Sequence, residues 1–354
     1  MKIFVINPGS TSTKVGLFEE EELLFENTLR HSSEEISQFP NIISQKDFRK
    51  KIIMDFLKEK NIELQELSAI VGRGGLIKPV SSGTYVVNDV MIHDLTIGYQ
   101  GQHASNLGGI LAKEIADEIN IPSFVVDPVV VDEFDDIARF SGIPEISRTS
   151  AFHALNHKAV ANKYCDDMKI NYNESKLIVV HLGGGISVGT HKEGKVVDVT
   201  NAIKGEGPFT PERSGEIPVL DIVDLCFSGK FSKEEIKKKV VGNGGFTAYL
   251  GTNNVKDIVD KALEGDENNK NAYNAFIYQL CKEIGKFSTV LKGDVDCIII
   301  TGGIAYNEHV INDIKDKVEF IAPVVSYPGE EELLALAQGA LRVLKGQEQA
   351  KNYN

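Results

Sequence analysis

Two short stretches, about half a chain apart, share one design: an apolar strand, a turn of glycines and hydroxyls, and a returning strand. The first is Lys2-Ile3-Phe4-Val5-Ile6, then Asn7-Pro8-Gly9-Ser10-Thr11-Ser12-Thr13-Lys14, then Val15-Gly16-Leu17-Phe18. The second runs Lys176-Leu177-Ile178-Val179-Val180-His181-Leu182, Gly183-Gly184-Gly185-Ile186-Ser187, Val188-Gly189-Thr190. Similarity at that separation predicts two structurally related halves rather than a short-period solenoid. A third apolar strand, Cys297 to Thr301, ends in Gly302-Gly303. Turns of this composition can aim backbone N–H groups and hydroxyls at a phosphate, with Lys14 as a counter-charge. A surface hairpin can have the same composition. Three such turns in one chain point to a nucleotide cleft.

Strand and helix patterns alternate along the 354 residues, which predicts an α/β fold with two domains. Helices are expected over roughly 46–60, 104–120, 150–168, 217–227, 232–240, 254–264, 270–291, 307–317 and 331–346. Strands are expected over roughly 2–7, 14–18, 68–72, 123–126, 177–182, 186–191, 195–199, 296–301 and 318–321. Glu19 to Glu22 reads as a solvated hairpin tip. No low-complexity linker marks a boundary. The repeat places residues 1–145 with 333–354 in an N-terminal domain and 146–332 in a C-terminal one.

The net charge of −13 argues against a nucleic-acid partner, which needs a basic face. The four cysteines form no C-x-x-C pair and read as reduced thiols of a cytoplasmic protein. No run approaches the ~18 apolar residues of a membrane span, and the apolar run after Lys2 is too short for a signal peptide. An acidic chain that handles anions must gather its positive charge locally. Arg73, in Gly72-Arg73-Gly74-Gly75, and Arg213, in Pro211-Glu212-Arg213-Ser214-Gly215, lie one per half on glycine-containing loops, a pair suited to clamping an anion. Asp127 ends a strand, where α/β proteins commonly place a metal or catalytic ligand. His153 and His157 are four apart, on one face of the expected helix. Without an intervening glutamate they do not make a zinc motif, and His153 is the better candidate donor to a phosphoryl oxygen. His103 and His181 sit beside Gly-rich turns and are candidate cleft residues. Gly189 to Lys195 matches G-x-x-x-x-G-K, but Val196 follows where a P-loop needs Ser or Thr, and the segment lies on an expected hairpin.

With these pieces in order, the chain resembles the acetate and butyrate kinase family over nearly its whole length. Asn7-Pro8-Gly9-Ser10-Thr11-Ser12-Thr13-Lys14 is similar to the N-x-G-S-[ST]-S-x-K signature, and His181-Leu182-Gly183-Gly184-Gly185 to the second phosphate turn, with Gly184 where acetate kinases have Asn. Arg213-Ser214-Gly215-Glu216 resembles R-[SC]-G-D, Phe152-His153 with His157 resembles F-H-G-x-x-H, and Glu330-Glu331-Glu332-Leu333 resembles the E-E-L run with a magnesium-linked glutamate, best matched by Glu331. The resemblance implies two related actin-like (ribonuclease H-like) domains around an ATP cleft. It implies reversible phosphoryl transfer from ATP, with Mg²⁺, to a short-chain fatty acid.

On that basis Arg73 is expected to bind the substrate carboxylate, and Arg213 and His153 the transferring phosphoryl. Asp127 and Glu331 are expected magnesium ligands. Asn7, Ser10, Ser12 and Lys14 position metal and phosphate, His181 with Gly183, Gly184 and Gly185 meets the phosphates, and Gly302 and Gly303 flank the nucleoside of ATP or ADP. Gly74, Gly75, His103 and Phe152 are expected to border the acid. Where acetate kinases carry bulky aliphatics, Gly74-Gly75 would leave room for extra methylenes, so a four-carbon acid such as butyrate is expected over acetate, at about 0.8 kcal/mol per buried CH₂. Acetate, propionate or a branched acid is the alternative. An actin- or chaperone-like ATPase would need a further domain, and a non-catalytic ATP sensor an effector module. A homo-oligomer, a dimer or larger, is the default for such an enzyme.

Overall fold

The computed structural model describes residues 1–354. Its contacts divide the chain into two compact units, Met1–Val131 with Glu331–Asn354, and Asp132–Glu330. The strands in chain order are β1 (Lys2–Pro8), β2 (Ser12–Glu19), β3 (Glu22–Arg30), β4 (Leu67–Arg73), β5 (Thr84–Val86), β6 (Ser123–Val126), β7 (Lys176–Leu182), β8 (Ile186–Lys192), β9 (Lys195–Val199), β10 (Cys297–Gly302), β11 (Val324–Pro328) and β12 (Lys351–Asn352).

The N-terminal unit holds a seven-stranded sheet in the order β12-β5-β6-β4-β1-β2-β3, and the C-terminal unit a five-stranded sheet in the order β11-β10-β7-β8-β9. In the first, β1, β2 and β3 form an antiparallel meander and β4 and β6 run parallel to β1. In the second, β7, β8 and β9 form the meander, and β10 and β11 run parallel to β7. The order β6-β4-β1-β2-β3 is therefore repeated as β11-β10-β7-β8-β9. The two halves predicted from the turns are structural copies, and the loop after β4, with Arg73-Gly74-Gly75, corresponds to Gly302-Gly303 after β10.

Central strands buried on both faces need unbroken apolar runs, which is what made these legible. In the C-terminal sheet, Ile178, Val180, Leu182, Ile298 and Ile300 join one core with Phe276, Leu280 and Ile284 of the helix Glu267–Ser288. Their alternates Leu177, Val179, Cys297 and Ile299 join another with Val160, Ala161 and Tyr164 of the helix Ala154–Met168. In the N-terminal unit Phe4, Ile6, Val15, Leu17 and Ile70 pack with Ile53, Phe56, Leu107 and Leu111 from the helices Lys46–Glu59 and Asn106–Asp117. The helix Glu332–Leu344 packs against β1, β4 and β6. No helix is long and apolar enough to cross a membrane.

Two expectations are corrected. The strand expected at 318–321 is absent: Val310, Ile314 and Val318 repeat every four residues, so the helix Glu308–Val318 continues to its last buried contact. The strand falls later, at β11, beyond Pro323. The helix expected from 150 starts at Ala154, with His153 as its N-cap, so His153 and His157 do not share the helix interior. Unread elements include β3, a largely exposed edge strand, the short strands β5 and β12, and the helices Ser33–Ser37, Asp89–Ile97 and Gly245–Leu250. The turn between β8 and β9, at Glu193-Gly194, confirms that the P-loop-like match is a hairpin.

Candidate active site

In the N-terminal unit the turn joining β1 to β2 is clamped from within by Arg49, which is fully buried on the helix Lys46–Glu59. Its guanidinium donates to the carbonyls of Gly9 (2.8 Å), Ser10 (2.8 Å) and Ser12 (2.9 Å), to Thr13 Oγ1 (3.1 Å), and to Gln45 Oε1 through Nε and Nη2. The three carbonyls are drawn toward one cation. Burial pulls the Arg49 pKa down to about 10, so it stays charged at neutral pH. Thr13 Oγ1 also contacts His31 Nε2 at 2.9 Å.

At the C-terminal end of β1 and β4, three side chains converge. Asn7 Nδ2 donates to Glu332 Oε2 at 2.7 Å. Arg73 pairs with the same carboxylate end-on, Nη1 to Oε2 at 2.9 Å and Nη2 to Oε1 at 2.8 Å, and Nη1 also reaches Asn7 Oδ1 at 3.3 Å. Glu332, in the first turn of its helix, was not foreseen. Glu331 is its exposed N-cap. One position along a helix start separates the residue that meets Arg73 from the one the motif favoured. Asp127 Oδ1 accepts from Ser82 Oγ (2.7 Å) and the Gly83 N–H (2.8 Å). Asp127 also has φ +38°, a left-handed conformation that a residue before proline rarely takes.

Lys14 pairs with Glu26 Oε2 at 3.1 Å, both partly exposed, on the β2–β3 ribbon. The Ser10 carbonyl is held by Arg49, and Ser12 begins β2. His103 is exposed, with Nδ1 2.8 Å from Ser105 Oγ. The space expected beside Gly74 and Gly75 is filled by the unit itself. A Cβ on Gly74 would lie 2.5 Å from Pro128 Cβ and 2.6 Å from Val125 Cγ1, and one on Gly75 would lie 2.6 Å from Asn106 Cα. These glycines permit close packing of the loop. They do not vacate room for methylenes, which corrects the chain-length argument drawn from them.

The C-terminal unit gathers a second set. The turn Gly183–Gly185 is closed by Gly183 N–H to the Gly185 carbonyl at 3.1 Å and held by Thr210 Oγ1, which donates to the Gly184 carbonyl at 2.9 Å. Gly184 is exposed, and no atom would meet a Cβ there within 4 Å. A Cβ on Gly185 would lie 2.9 Å from Arg213 Cζ, so the guanidinium rests against bare backbone. Arg213 donates through Nη1 to the Ala202 carbonyl. Its loop is tied by Thr210 N–H to the Arg213 carbonyl (2.9 Å) and Arg213 N–H to Thr210 Oγ1 (3.0 Å). Burial pulls the Arg213 pKa down and Glu212 partly offsets this.

His153 and His157 converge on Ser187, His153 Nδ1 at 2.9 Å and His157 Nε2 at 2.8 Å from its Oγ. His153 stacks on His181 with ring centres 3.8 Å apart. His181 Nδ1 lies 2.8 Å from Asn156 Oδ1, and Nε2 lies 3.1 Å from Glu330 Oε1. Phe152, expected beside the acid, is 3% exposed and meets His157 edge-on at 5.1 Å, so it packs the histidine cluster. Gly302, at φ +92°, exchanges N–H···O bonds with Gly329 (3.1 and 3.0 Å), and a Cβ on it would lie 2.7 Å from the Leu182 carbonyl carbon. Gly303 opens a short 3₁₀ turn and would meet nothing within 4 Å.

Each unit thus carries a cation beside a Gly-rich turn. Arg49, Glu332, Ser82 and Ser187 complete the two sets. Of these only Ser187 was visible beforehand, as the hydroxyl ending the second turn.

Comparison with known proteins identifies the family. The acetokinase family model matches residues 145–325. The chain is 60% identical over 99% of both chains to butyrate kinase 1 of Clostridium acetobutylicum, and 59% identical over the same share to a probable butyrate kinase of Clostridium botulinum. Among solved structures, acetate kinase of Porphyromonas gingivalis matches 97% of this chain and 99% of its own at a TM-score of 0.80 and 18% identity. A propionate kinase of Francisella tularensis matches 96% of this chain and 98% of its own at 0.76 and 19%. The duplicated sheets and these likenesses give the chain the actin-like pair of α/β domains, and by its sequence it belongs to the acetokinase family.

Proposed function

We propose that this protein is a butyrate kinase, transferring the γ-phosphoryl group of ATP to the carboxylate of butyrate, reversibly, to give butyryl phosphate and ADP. Full-length similarity to butyrate kinases supports the four-carbon acid. The observation that carries the reading is the way Arg73 is held. A guanidinium has five N–H donors. Glu332 and Asn7 occupy the end-on pair, which leaves the Nε–H and the second Nη2–H as a parallel fork suited to a carboxylate.

A carboxylic acid is already ionised at pH 7, so no general base is needed. The obstacle is repulsion between anions, about 4 kcal/mol for two unit charges ~4 Å apart at an effective dielectric near 20. Arg73 orients the carboxylate. Arg213 and the His153 ring hold equatorial oxygens of the transferring group, and the backbone of Gly183, Gly184 and Gly185 meets the phosphate chain. Gly302 and Gly303 border the nucleoside, Asn7, Ser10 and Ser12 shape the first turn, and His181 supports His153 by stacking. Magnesium takes hard oxygen ligands, which the Asp127 and Glu331 carboxylates and the Asn7 side-chain carbonyl would supply by chemical type. Bound there, the ion would neutralise phosphate charge. A homo-oligomer in the cytoplasm completes the proposal. The helix Val219–Phe227 supports association, with Leu220 78% and Phe227 87% exposed, and light scattering of L220K and F227K variants tests it.

A hydroxamate assay over two- to five-carbon acids with ATP and Mg²⁺ tests the activity. Butyryl hydroxamate should dominate, and equal turnover of acetate would reject butyrate as the substrate. Arg73→Ala and Arg213→Ala should each lose most of kcat while remaining folded.

A further inference from the structure

Behind His153 lies a hydrogen-bonded row of side chains that the roles above do not use. Tyr172 Oη is 2.8 Å from His191 Nδ1. His191 Nε2 is 3.3 Å from His157 Nδ1, their ring planes within 15° and their centres 5.6 Å apart. His157 Nε2 is 2.8 Å from Ser187 Oγ, and Ser187 Oγ is 2.9 Å from His153 Nδ1. His157, Ser187 and His191 are fully buried. We infer that Tyr172, His191, His157 and Ser187 are positioning residues: together they fix the tautomer of His153 so that its proton sits on Nε2, the donor that phosphoryl transfer requires. This rests on the reading of His153 as a phosphoryl donor.

The argument is a count of protons. The two buried histidines bond to each other, to Ser187 and to Tyr172, none of them a carboxylate, and the only fixed charge that bears on both rings is that of Lys158, which opposes protonation. Burial, and next the charge of a neighbouring histidine, hold both pKa values well below the ordinary histidine range, so each ring is neutral and carries one proton. One proton must then lie between His191 Nε2 and His157 Nδ1, and its side decides whether the single Ser187 hydroxyl proton is spent on His157 or is free for His153. If it is on His191, then His157 carries its proton on Nε2 and donates to Ser187. The Ser187 hydroxyl in turn donates to His153 Nδ1. A neutral His153 is left with Nε2–H. If the row runs the other way, His153 keeps its proton on Nδ1, and its Nε2 can only accept. A phosphoryl oxygen is an acceptor too, and would be repelled.

Tyr172 decides the direction. A phenol O–H is a much stronger acid than a neutral imidazole N–H, so the stable arrangement has Tyr172 donating to His191 Nδ1. That forces the His191 proton to Nε2 and polarises the row toward His153. Adjoining bonds of one sense strengthen each other, which favours one tautomer over a mixture.

The test is long-range ¹H–¹⁵N spectroscopy of the full chain with ¹⁵N-labelled histidine, in which protonated and bare ring nitrogens are distinct. The expected result is a proton on Nε2 of His153, His157 and His191. A proton on Nδ1 of His153, alone or together with Nε2, would overturn the inference. In Tyr172→Phe the Nε2–H population of His153 should fall, and kcat should drop about tenfold, the worth of one well-made hydrogen bond, with both KM values within about twofold. An unchanged spectrum in that variant would remove Tyr172 from the row. His153→Asn assigns the signal and separates the two claims. Full turnover there would reject the role of His153 in transfer, while the wild-type spectrum would still decide the relay.

Discussion

Arg49→Lys isolates what the buried guanidinium does for the first phosphate turn. Arginine makes six hydrogen bonds here, three of them to the carbonyls of Gly9, Ser10 and Ser12. Lysine keeps the charge but has three donors on one compact, strongly hydrated head. From the position of Arg49 it can serve one or two of the carbonyls, leaving at least one buried acceptor without a partner. Each orphaned acceptor costs about 1–3 kcal/mol, so a stability loss of about 2–4 kcal/mol is expected. The turn carries Asn7 at its base, paired to Glu332, so loosening it should also disturb the Arg73 cluster. Urea unfolding followed by circular dichroism measures the first effect. The hydroxamate assay, run at a temperature where the variant is folded, measures the second, with KM for ATP expected to rise. A variant within about 0.5 kcal/mol of the parent and with unchanged KM would show that the turn holds its shape without the guanidinium.

His31 gives a pH dependence. Burial, and then the charge of Arg49, bring its pKa from 6.5 down to about 4. The unfolded chain binds the proton first as pH falls. Stability is therefore unaffected above about pH 6.5 and is lost between there and pH 4, by up to about 3 kcal/mol. Urea midpoints across that range should fall less in His31→Gln; equal slopes would reject the assignment. Gly75→Ala should destabilise by about 1–3 kcal/mol, because its Cβ meets Asn106 Cα, and should leave the ranking of two- to five-carbon acids unchanged. A shifted ranking in the acid panel would restore the pocket argument. Glu332→Gln keeps the shape but weakens the end-on grip on Arg73. KM for the acid should rise about tenfold while KM for ATP changes little, and the opposite split would tie Glu332 to the nucleotide instead.

The legible part of the fold was the part whose burial is continuous. β1, β7 and β10 are apolar on both faces, so their runs and terminal glycines stand out. β3 did not, because an exposed edge strand needs no apolar pattern. Arg73, Arg213, His153 and the turn residues announced themselves through flanking glycines and motif spacing. Arg49 and Glu332 did not. Each acts from a helix, where charged residues are ordinary, and only the chain's path brings them to β1 and β4. Gly74-Gly75 shows the reverse error: a glycine signals that backbone or side chains come close, and whether the space is filled by the protein or left for a ligand depends on Pro128 and Asn106, far along the chain.

The discontinuous make-up of the N-terminal unit has a consequence for synthesis. Its sheet is finished by Glu332–Leu344 and by β12, which leave the ribosome only after the whole of Asp132–Glu330. Domains fold as units while the chain emerges, so the later-encoded lobe is complete first, and the earlier-encoded sheet waits with the face under its closing helix bare. Arg73 spends that interval without its carboxylate. Nascent chains stalled before Glu332 are accordingly where aggregation and chaperone capture of this enzyme should concentrate.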